Sequence, residues 1–368
     1  MKQLIPYGRH KIVRSDVRRV KRVLKSNWLT QGPVVRDFED AFADYTGAKF
    51  AIALSSGSAA LHAAASYFFD RDHRDFFVPN ITFVSTASAT VHAGGSVHLV
   101  DIVRDTAHIQ FRDIPKSADV VMPVDFGGLP TPIPFSDFSR STRFIIDAAH
   151  SLGARTPRGP VGKPHESAIT CFSLHPVKSI TSAEGGMCTT DDSDVAGYLR
   201  EFREHGIRRP NTEKGWGYRV VYPGFNYRLS DVHAAIGLSQ LDRLDRYIEE
   251  RNEIADRYRD LLKSLPVELP ANPPAGFTHS YHLFYIQLQR RDAVLQLLRG
   301  AGVQVQVHYQ PLDRCTDFLG SNKMSSLETS HHVANGILSL PIFPGLRAAT
   351  QRRVVKELDK AITQAKTA

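Results

Sequence analysis

The chain has 368 residues, 42% of them hydrophobic and 23% charged, with 46 Lys and Arg against 38 Asp and Glu for a net charge of +8. This is ordinary globular composition, which excludes a disordered chain and a collagen-like rod, and the longest apolar runs are strand-sized, far short of a bilayer span. Cys171, Cys188 and Cys315 form no CxxC pair and leave an odd count, so neither a disulfide framework nor a metal site is expected.

The polar, basic opening shows no charged-then-apolar leader, which points to a cytoplasmic protein with no membrane partner. The first 25 residues hold nine Lys or Arg and one acid. Val17, Val20 and Leu24 interrupt them at helical spacing, so they read as the solvated face of a short helix after Ser15 and not as a nucleic-acid arm. A turn at 27–34 leads into a second amphipathic helix with Phe38, Ala41, Phe42 and Tyr45 on one side, ending at Gly47.

From Phe50 onward, short apolar runs at 50–54, 76–79, 96–101, 119–126 and 143–150 alternate with helical stretches. Continuous apolar strands separated by helices predict an α/β fold whose mostly parallel sheet is covered on both faces. At 169–192 two short strands flank a polar loop with no helix between them. The segment 229–265 reads as one long helix with Leu238, Leu241, Leu244, Ile248 and Leu261 on its apolar side, broken by the Pro-rich stretch 266–274. Apolar runs at 281–288 and 303–309, a helix near 291–300 and a last helix from Ala348 make a smaller α+β unit. The expected organisation is a large domain over 1–245, including the N-terminal arm, and a small C-terminal domain over 246–368.

The candidate chemistry lies along the large sheet. Ser55-Ser-Gly-Ser-Ala59 joins a strand to a helix. Gly57 and Ser58 there offer free N–H groups and a hydroxyl to a phosphate, although strand–Gly–helix turns are common in α/β proteins. Asp147 ends an apolar strand, where α/β proteins place ligands; it either pairs with a heterocyclic nitrogen or caps the next helix. Lys178 follows Ser173 and His175 in SLHPVK and is either a solvated charge or an amine that condenses with a carbonyl. Phe83 is either core or a stacking platform. Asn226 and the pair His308-Tyr309 sit in polar breaks, where each can equally satisfy the backbone. The run His331-His332 lacks further ligands and reads as surface. Taken in order, an anion seat, a ring platform, a partner for a ring nitrogen and a reactive amine describe a pyridoxal 5'-phosphate site.

The motifs NWLTQGP, SSGSAALHAA, PNITFVSTA, VDFGGLP, IIDAAHSLGA, CFSLHPVKSITSAEGGM, FNYRLSDVHAAIGLSQL and VHYQPL extend the likeness over nearly the whole chain. By these the sequence resembles the DegT/DnrJ/StrS sugar aminotransferases, which are fold-type I pyridoxal phosphate enzymes. The resemblance implies a large domain built on a mostly parallel seven-stranded sheet, with a smaller C-terminal α+β domain. It implies that Lys178 bonds covalently to the cofactor, Asp147 pairs with the pyridine nitrogen, His150 lies near the ring's phenolic oxygen and Phe83 stacks on the ring. Gly57, Ser58 and Ser173 would hold the phosphate. Asn226 would reach the phosphate of the partner subunit, so a homodimer with shared active sites is implied. Lys178, Asp147 and His175 are the expected catalytic residues, and Tyr7, His308 and Tyr309 the substrate residues.

The implied reaction moves an amino group from glutamate to a keto group of a nucleotide-linked deoxysugar. Related dehydratases carry histidine at the lysine position, so Lys178 favours transamination over dehydration, and a binding-only regulatory role needs no such amine. IPYGRHKI, NWLTQGP and REHGIRRP look most like transaminases of the pseudaminic acid pathway, which aminate a UDP-linked 4-keto-6-deoxy-N-acetylhexosamine. The chain departs from the family pattern with Asp125 and Leu129 in place of histidine and glutamine, with Ala183 in place of glycine, and with a short segment between Asp101 and Asp119.

Overall fold

A computed structural model describes residues 4–209, 217–319, 324 and 326–367. Lys2 of the basic opening and Pro210 of REHGIRRP lie outside the described residues.

In chain order the helices are α1 (Arg14–Leu24), α2 (Pro33–Thr46), α3 (Gly57–Phe69), α4 (Ser85–Ala93), α5 (Ser193–Phe202), α6 (Asp231–Leu241), α7 (Leu244–Leu262), α8 (Arg291–Gly300), α9 (Leu312–Cys315), α10 (Glu328–Gly336) and α11 (Ala348–Thr367). The large sheet uses β1 (Phe50–Leu54), β2 (Asp75–Pro79), β3 (Ser96–Val100), β4 (Val120–Val121), β5 (Arg143–Asp147), and, past the small hairpin of β6 (Arg155–Thr156) and β7 (Gly159–Pro160), β8 (Ala168–Ser173) and β9 (Gly186–Thr190). Two further two-stranded pairings are β10 (Ile207–Arg208) with β11 (Arg219–Val220), and β12 (Phe284–Gln287) with β13 (Ile337–Leu340).

The seven strands run in the order β1-β9-β8-β5-β4-β2-β3. Only β9 is antiparallel to its neighbours. The apolar runs are continuous because both faces are covered. On β1, Ile52 and Leu54 join one core with α3 and α5, while Ala51 and Ala53 join another with α2 and α6. That alternation is the two-residue period of a pleated strand. The run 119–126 yields only Val120–Val121 as strand. Pro123 has no N–H to continue the ladder, and contact with β5 resumes as a single bridge from Val124 to Asp147.

A third core gathers α7, α8, β12, β13 and α11, and Ile5 of the N-terminal arm packs into it. The arm is tied there by a bridge from Ile5 to Val303. The expected single helix over 229–265 is two helices, broken at Asp242 and Arg243. Along α7 the buried face runs through Leu244, Ile248, Arg251, Ala255 and Tyr258 to Leu262, so Leu262 is fully buried and Leu261 only partly. Helix α7 serves two cores: Leu244, Tyr247 and Ile248 pack with the sheet unit, and Ile254, Ala255, Tyr258 and Leu262 with the C-terminal one. Among the described residues, no helix is long and apolar enough to cross a membrane.

Candidate active site

At the carboxyl edge of the sheet a cavity of about 280 Å³ brings together residues from the arm, from the sheet loops and from the segment after α8. Gly57, Ser58, Phe83, Asp147, His150, Ser173, His175, Lys178, Tyr7, His308 and Tyr309 all line it. Eleven of the twelve positions singled out in the sequence therefore converge. Asn226 does not line this cavity; it is exposed, in a bridge with Glu204.

The anion seat is built by close backbone approach. Ser56 caps α3, its Oγ accepting the Ala59 N–H at 3.1 Å. The N–H groups of Gly57 and Ser58 then head the helix, where no intrahelical acceptor exists and the dipole favours negative charge. A Cβ on Gly57 would stand 2.8 Å from Ser173 Cβ, and one on Gly186 would stand 2.1 Å from the Ser56 carbonyl oxygen. Glycine at both places lets β8, β9 and the start of α3 meet. Ser58 and Ser85 share a hydroxyl hydrogen bond at 2.6 Å.

Asp147, buried at the end of β5, accepts from Thr86 Oγ1 at 2.8 Å through Oδ2 and from the Ala149 N–H at 3.1 Å through Oδ1. No helix follows Asp147 for it to cap; one oxygen accepts within the local turn, and the carboxyl group lines the cavity. Burial raises its pKa, against the opposing pull of Thr86, the Ala149 N–H and the Lys178 charge. Lys178 sits in the loop joining β8 to β9, its N–H donating to the His175 carbonyl at 3.0 Å. Burial pulls its amine down to about 8, with Asp147 acting the other way. A lysine so placed is partly neutral near neutral pH and is a usable nucleophile and base.

His150 is buried, its Nε2 paired with the Tyr309 hydroxyl at 3.1 Å. Burial first, then the Lys178 and His308 charges, holds its pKa well below the usual range, so the ring is neutral. His308 Nδ1 pairs with Ser339 Oγ at 2.8 Å, and Tyr7 lies against it with ring centroids 5.8 Å apart. Phe83 is not a core residue: it is 54% exposed, 5.9 Å from the Tyr309 ring. His175 is exposed at the rim.

Three contributors escaped the sequence reading. Thr86 and Ser85 stand in PNITFVSTA among other small hydroxyl residues that gave no sign of which would turn inward. His282, inside an apolar run, is buried 4.4 Å from the His150 ring and lines the cavity. Asp125 and Leu129 are buried but do not line the cavity. Asp125 accepts from Ser151 Oγ at 2.6 Å and the Thr131 N–H at 2.8 Å, and faces a separate apolar cavity. His331 is not a free surface residue; it is half-buried and paired with Asp313 at 3.0 Å. Among the described residues no cluster of His, Cys, Asp and Glu is placed to hold a metal ion.

The donor set fits pyridoxal phosphate. A desolvated amine, a hydrogen-bonded carboxylate and a glycine-lined helix start, which a single Cβ would fill, surround one cavity. Comparison with known proteins agrees. Residues 10–359 match the DegT/DnrJ/EryC1/StrS aminotransferase family. Helicobacter pylori PseC, an aminotransferase involved in the biosynthesis of pseudoaminic acid, superposes with a TM-score of 0.88 at 26% identity, over 98% of this chain and 100% of that one. Spr1654 from Streptococcus pneumoniae, assigned as a sugar aminotransferase, superposes in its PMP form with a TM-score of 0.90 at 24% identity, over 98% of this chain and 100% of that one. A DegT DnrJ EryC1 StrS aminotransferase from Brucella abortus gives 0.85 at 26% identity, over 95% of each chain. The fold expected from the sequence is the fold these proteins share. With its motifs, sheet order and cavity all in agreement, the chain belongs to the DegT/DnrJ/EryC1/StrS aminotransferase family.

Proposed function

We propose that the protein is a pyridoxal phosphate-dependent sugar aminotransferase that moves an amino group from glutamate to the keto group of a nucleotide-activated deoxysugar, a UDP-4-keto-6-deoxy-N-acetylhexosamine. The observation that carries this reading is the pairing of Lys178, its amine drawn down to about 8, with buried Asp147 in one cavity. The sugar assignment is supported by IPYGRHKI, NWLTQGP and the described part of REHGIRRP, and by the likeness to PseC. A net charge of +8 suits a diphosphate-bearing substrate.

When bound, pyridoxal phosphate supplies an electron sink for the carbon that loses its proton. The protein's own groups do the rest. Gly57, Ser58 and Ser173 would hold the phosphate at the start of α3. Asp147, its anion favoured by Thr86 and the Ala149 N–H against burial, would hold a proton on the ring nitrogen. Lys178 Nζ would hold the cofactor covalently and, as a free amine, would take and return the proton at the donor's α carbon. Neutral His150, oriented by Tyr309, would stand near the ring's phenolic oxygen. Tyr7, His308 and Tyr309 wall the side open to substrate.

The protein works, in this reading, as a cytoplasmic homodimer in polysaccharide biosynthesis. Asn226, exposed and away from its own cavity, is free to reach the partner's phosphate.

The test is an absorption spectrum of the purified protein with pyridoxal phosphate, before and after glutamate, beside Lys178→Ala. A visible band that glutamate converts to a near-ultraviolet one, and that the variant fails to form, supports the reading; a panel of keto-sugar nucleotides then identifies the acceptor. A wild type that forms no band overturns it.

A further inference from the structure

Glu39 lies on α2, outside the cavity, yet it is buried and ion-paired with Arg203, the residue that caps the end of α5. Between them they take up the whole backbone of one residue on edge strand β1. Glu39 Oε1 accepts the Ala53 N–H at 2.8 Å, and Arg203 Nη1 donates to the Ala53 carbonyl at 2.6 Å. Strand β1 has a sheet partner on one side only, and this ion pair substitutes for a neighbour on the other.

The contacts continue in a closed circuit. The Arg203 carbonyl accepts the Tyr227 N–H at 3.0 Å, and the Tyr227 carbonyl accepts the Ser55 N–H at 2.8 Å. Tyr227 also reaches the helix beyond the turn, its hydroxyl pairing with His62 Nδ1 of α3 at 3.0 Å. Ala53 and Ser55 are therefore both fixed from outside the sheet, immediately before Ser56 and Gly57. A buried ion pair contributes little net stability as such. Its worth here is geometric: it sets where β1 delivers the chain to the head of α3.

We propose that Glu39 and Arg203 are a positioning pair for the anion seat, holding Ser55–Ser58 in the conformation that receives the cofactor's phosphate. The proposal rests on the pyridoxal phosphate reading above. Neither residue touches the cavity, so the effect of losing them passes through the β1–α3 turn. A ligand with the same ring and no phosphate is indifferent to it.

The experiment measures binding of pyridoxal phosphate and of pyridoxal, which lacks the phosphate, to wild type, Glu39→Gln and Glu39→Ala. Glutamine keeps an acceptor for Ala53 while discarding the charge that orders Arg203. The expected result is a loss of pyridoxal phosphate affinity of about tenfold in Glu39→Ala and a smaller loss in Glu39→Gln, with pyridoxal affinity within about twofold of wild type in both. At saturating cofactor, kcat for the half-reaction with glutamate returns to near the wild-type value. Unchanged pyridoxal phosphate affinity overturns the proposal, as does an equal loss for both ligands, which marks a general structural role. Should Glu39→Ala fail to fold, the Glu39→Gln comparison decides by the same ratio. A wild type that binds neither ligand refutes the cofactor reading itself, a separate failure.

Discussion

Thr86 Oγ1 donates to Asp147 Oδ2 at 2.8 Å, so the first turn of α4 aims the carboxylate at the end of β5. The hydroxyl stabilises the anion against a burial that favours the neutral acid. In Thr86→Val the methyl groups fill the space and the donor is gone. The Asp147 pKa then rises further, and the anion needed opposite a ring nitrogen is lost at higher pH than in wild type. The acid limb of the kcat/KM profile should move to higher pH, with a fall in kcat of about three- to tenfold near neutrality. An unmoved limb would show that Asp147 does not govern it.

Lys178 titrates at about 8, with burial the main cause. Neutral amine is the attacking form, so its fraction rises as pH climbs through that value. The rate at which the apoprotein builds its visible band with pyridoxal phosphate should rise with pH and level off above about 8. Lys178→Ala should form no such band at any pH while keeping its fold. Stopped-flow absorbance against pH checks the first, and circular dichroism of the variant the second.

Gly57→Ala puts a methyl 2.8 Å from Ser173 Cβ, in the seat proposed for the phosphate. The start of α3 must move away from β8. Cofactor affinity should fall at least about tenfold, through crowding of a rigid contact. Titration of the visible band with pyridoxal phosphate reads this directly.

Asp125 is pushed up to about 7, above all by burial and further by the charge of Asp147, against hydrogen bonds from Ser151 and Thr131. A group whose folded pKa is raised lends stability below its unfolded pKa, and that stability is lost as pH rises toward the folded value. The contribution of Asp125 should therefore fall between about pH 4 and pH 7, by something on the order of a few kcal/mol, against the opposite trend of the buried histidines whose pKa is lowered. Asp125→Asn, which does not titrate, should gain stability relative to the wild type as pH rises through that window. Chemical denaturation at a series of pH values measures the slope.

Ala183 stands at φ +70°, in the left-handed region. This accounts for glycine being usual at that place in the family: a Cβ there crowds its own backbone. Ala183→Gly should raise stability by about 0.5–1 kcal/mol, the relief of strain outweighing the entropy glycine costs. A lower denaturation midpoint in the variant would show that the loop holds alanine without strain.

Much of this was legible because local patterns and tertiary structure agree. The apolar run at 50–54 is β1 to the residue, Gly47 ends α2 at φ +73°, and α8 covers 291–300 as its periodicity requires. Lys178 and Asp147 were found because each ends or follows a strand that delivers it to the same sheet edge. The break between α6 and α7 was not legible, since Leu241 and Leu244 keep helical spacing across it. His282 was hidden in a run whose apolar neighbours explain it as strand, and Asp125 carries no mark of facing away from the cavity. Glu39 and Arg203 were out of reach altogether. They are 164 residues apart, and each taken alone is an ordinary charge on an amphipathic helix.

The antiparallel placement of β9 gives the lysine loop a property the other sheet loops lack. Every parallel connection runs into a crossover that must travel the length of the sheet, whereas the segment after Ser173 turns straight back and rejoins it opposite, with Ser173 in register with Gly186. Inside the turn, the Leu174 N–H donates to the Gly185 carbonyl at 2.8 Å, and the Leu174 carbonyl takes both the Ser182 N–H and the Thr181 hydroxyl. The amine is therefore carried on a bracket bolted to the sheet at both ends. In the proposed reaction, an amine freed from the cofactor would swing on its four methylenes from a backbone held on both sides, and so would stay within one side chain's length of the donor carbon.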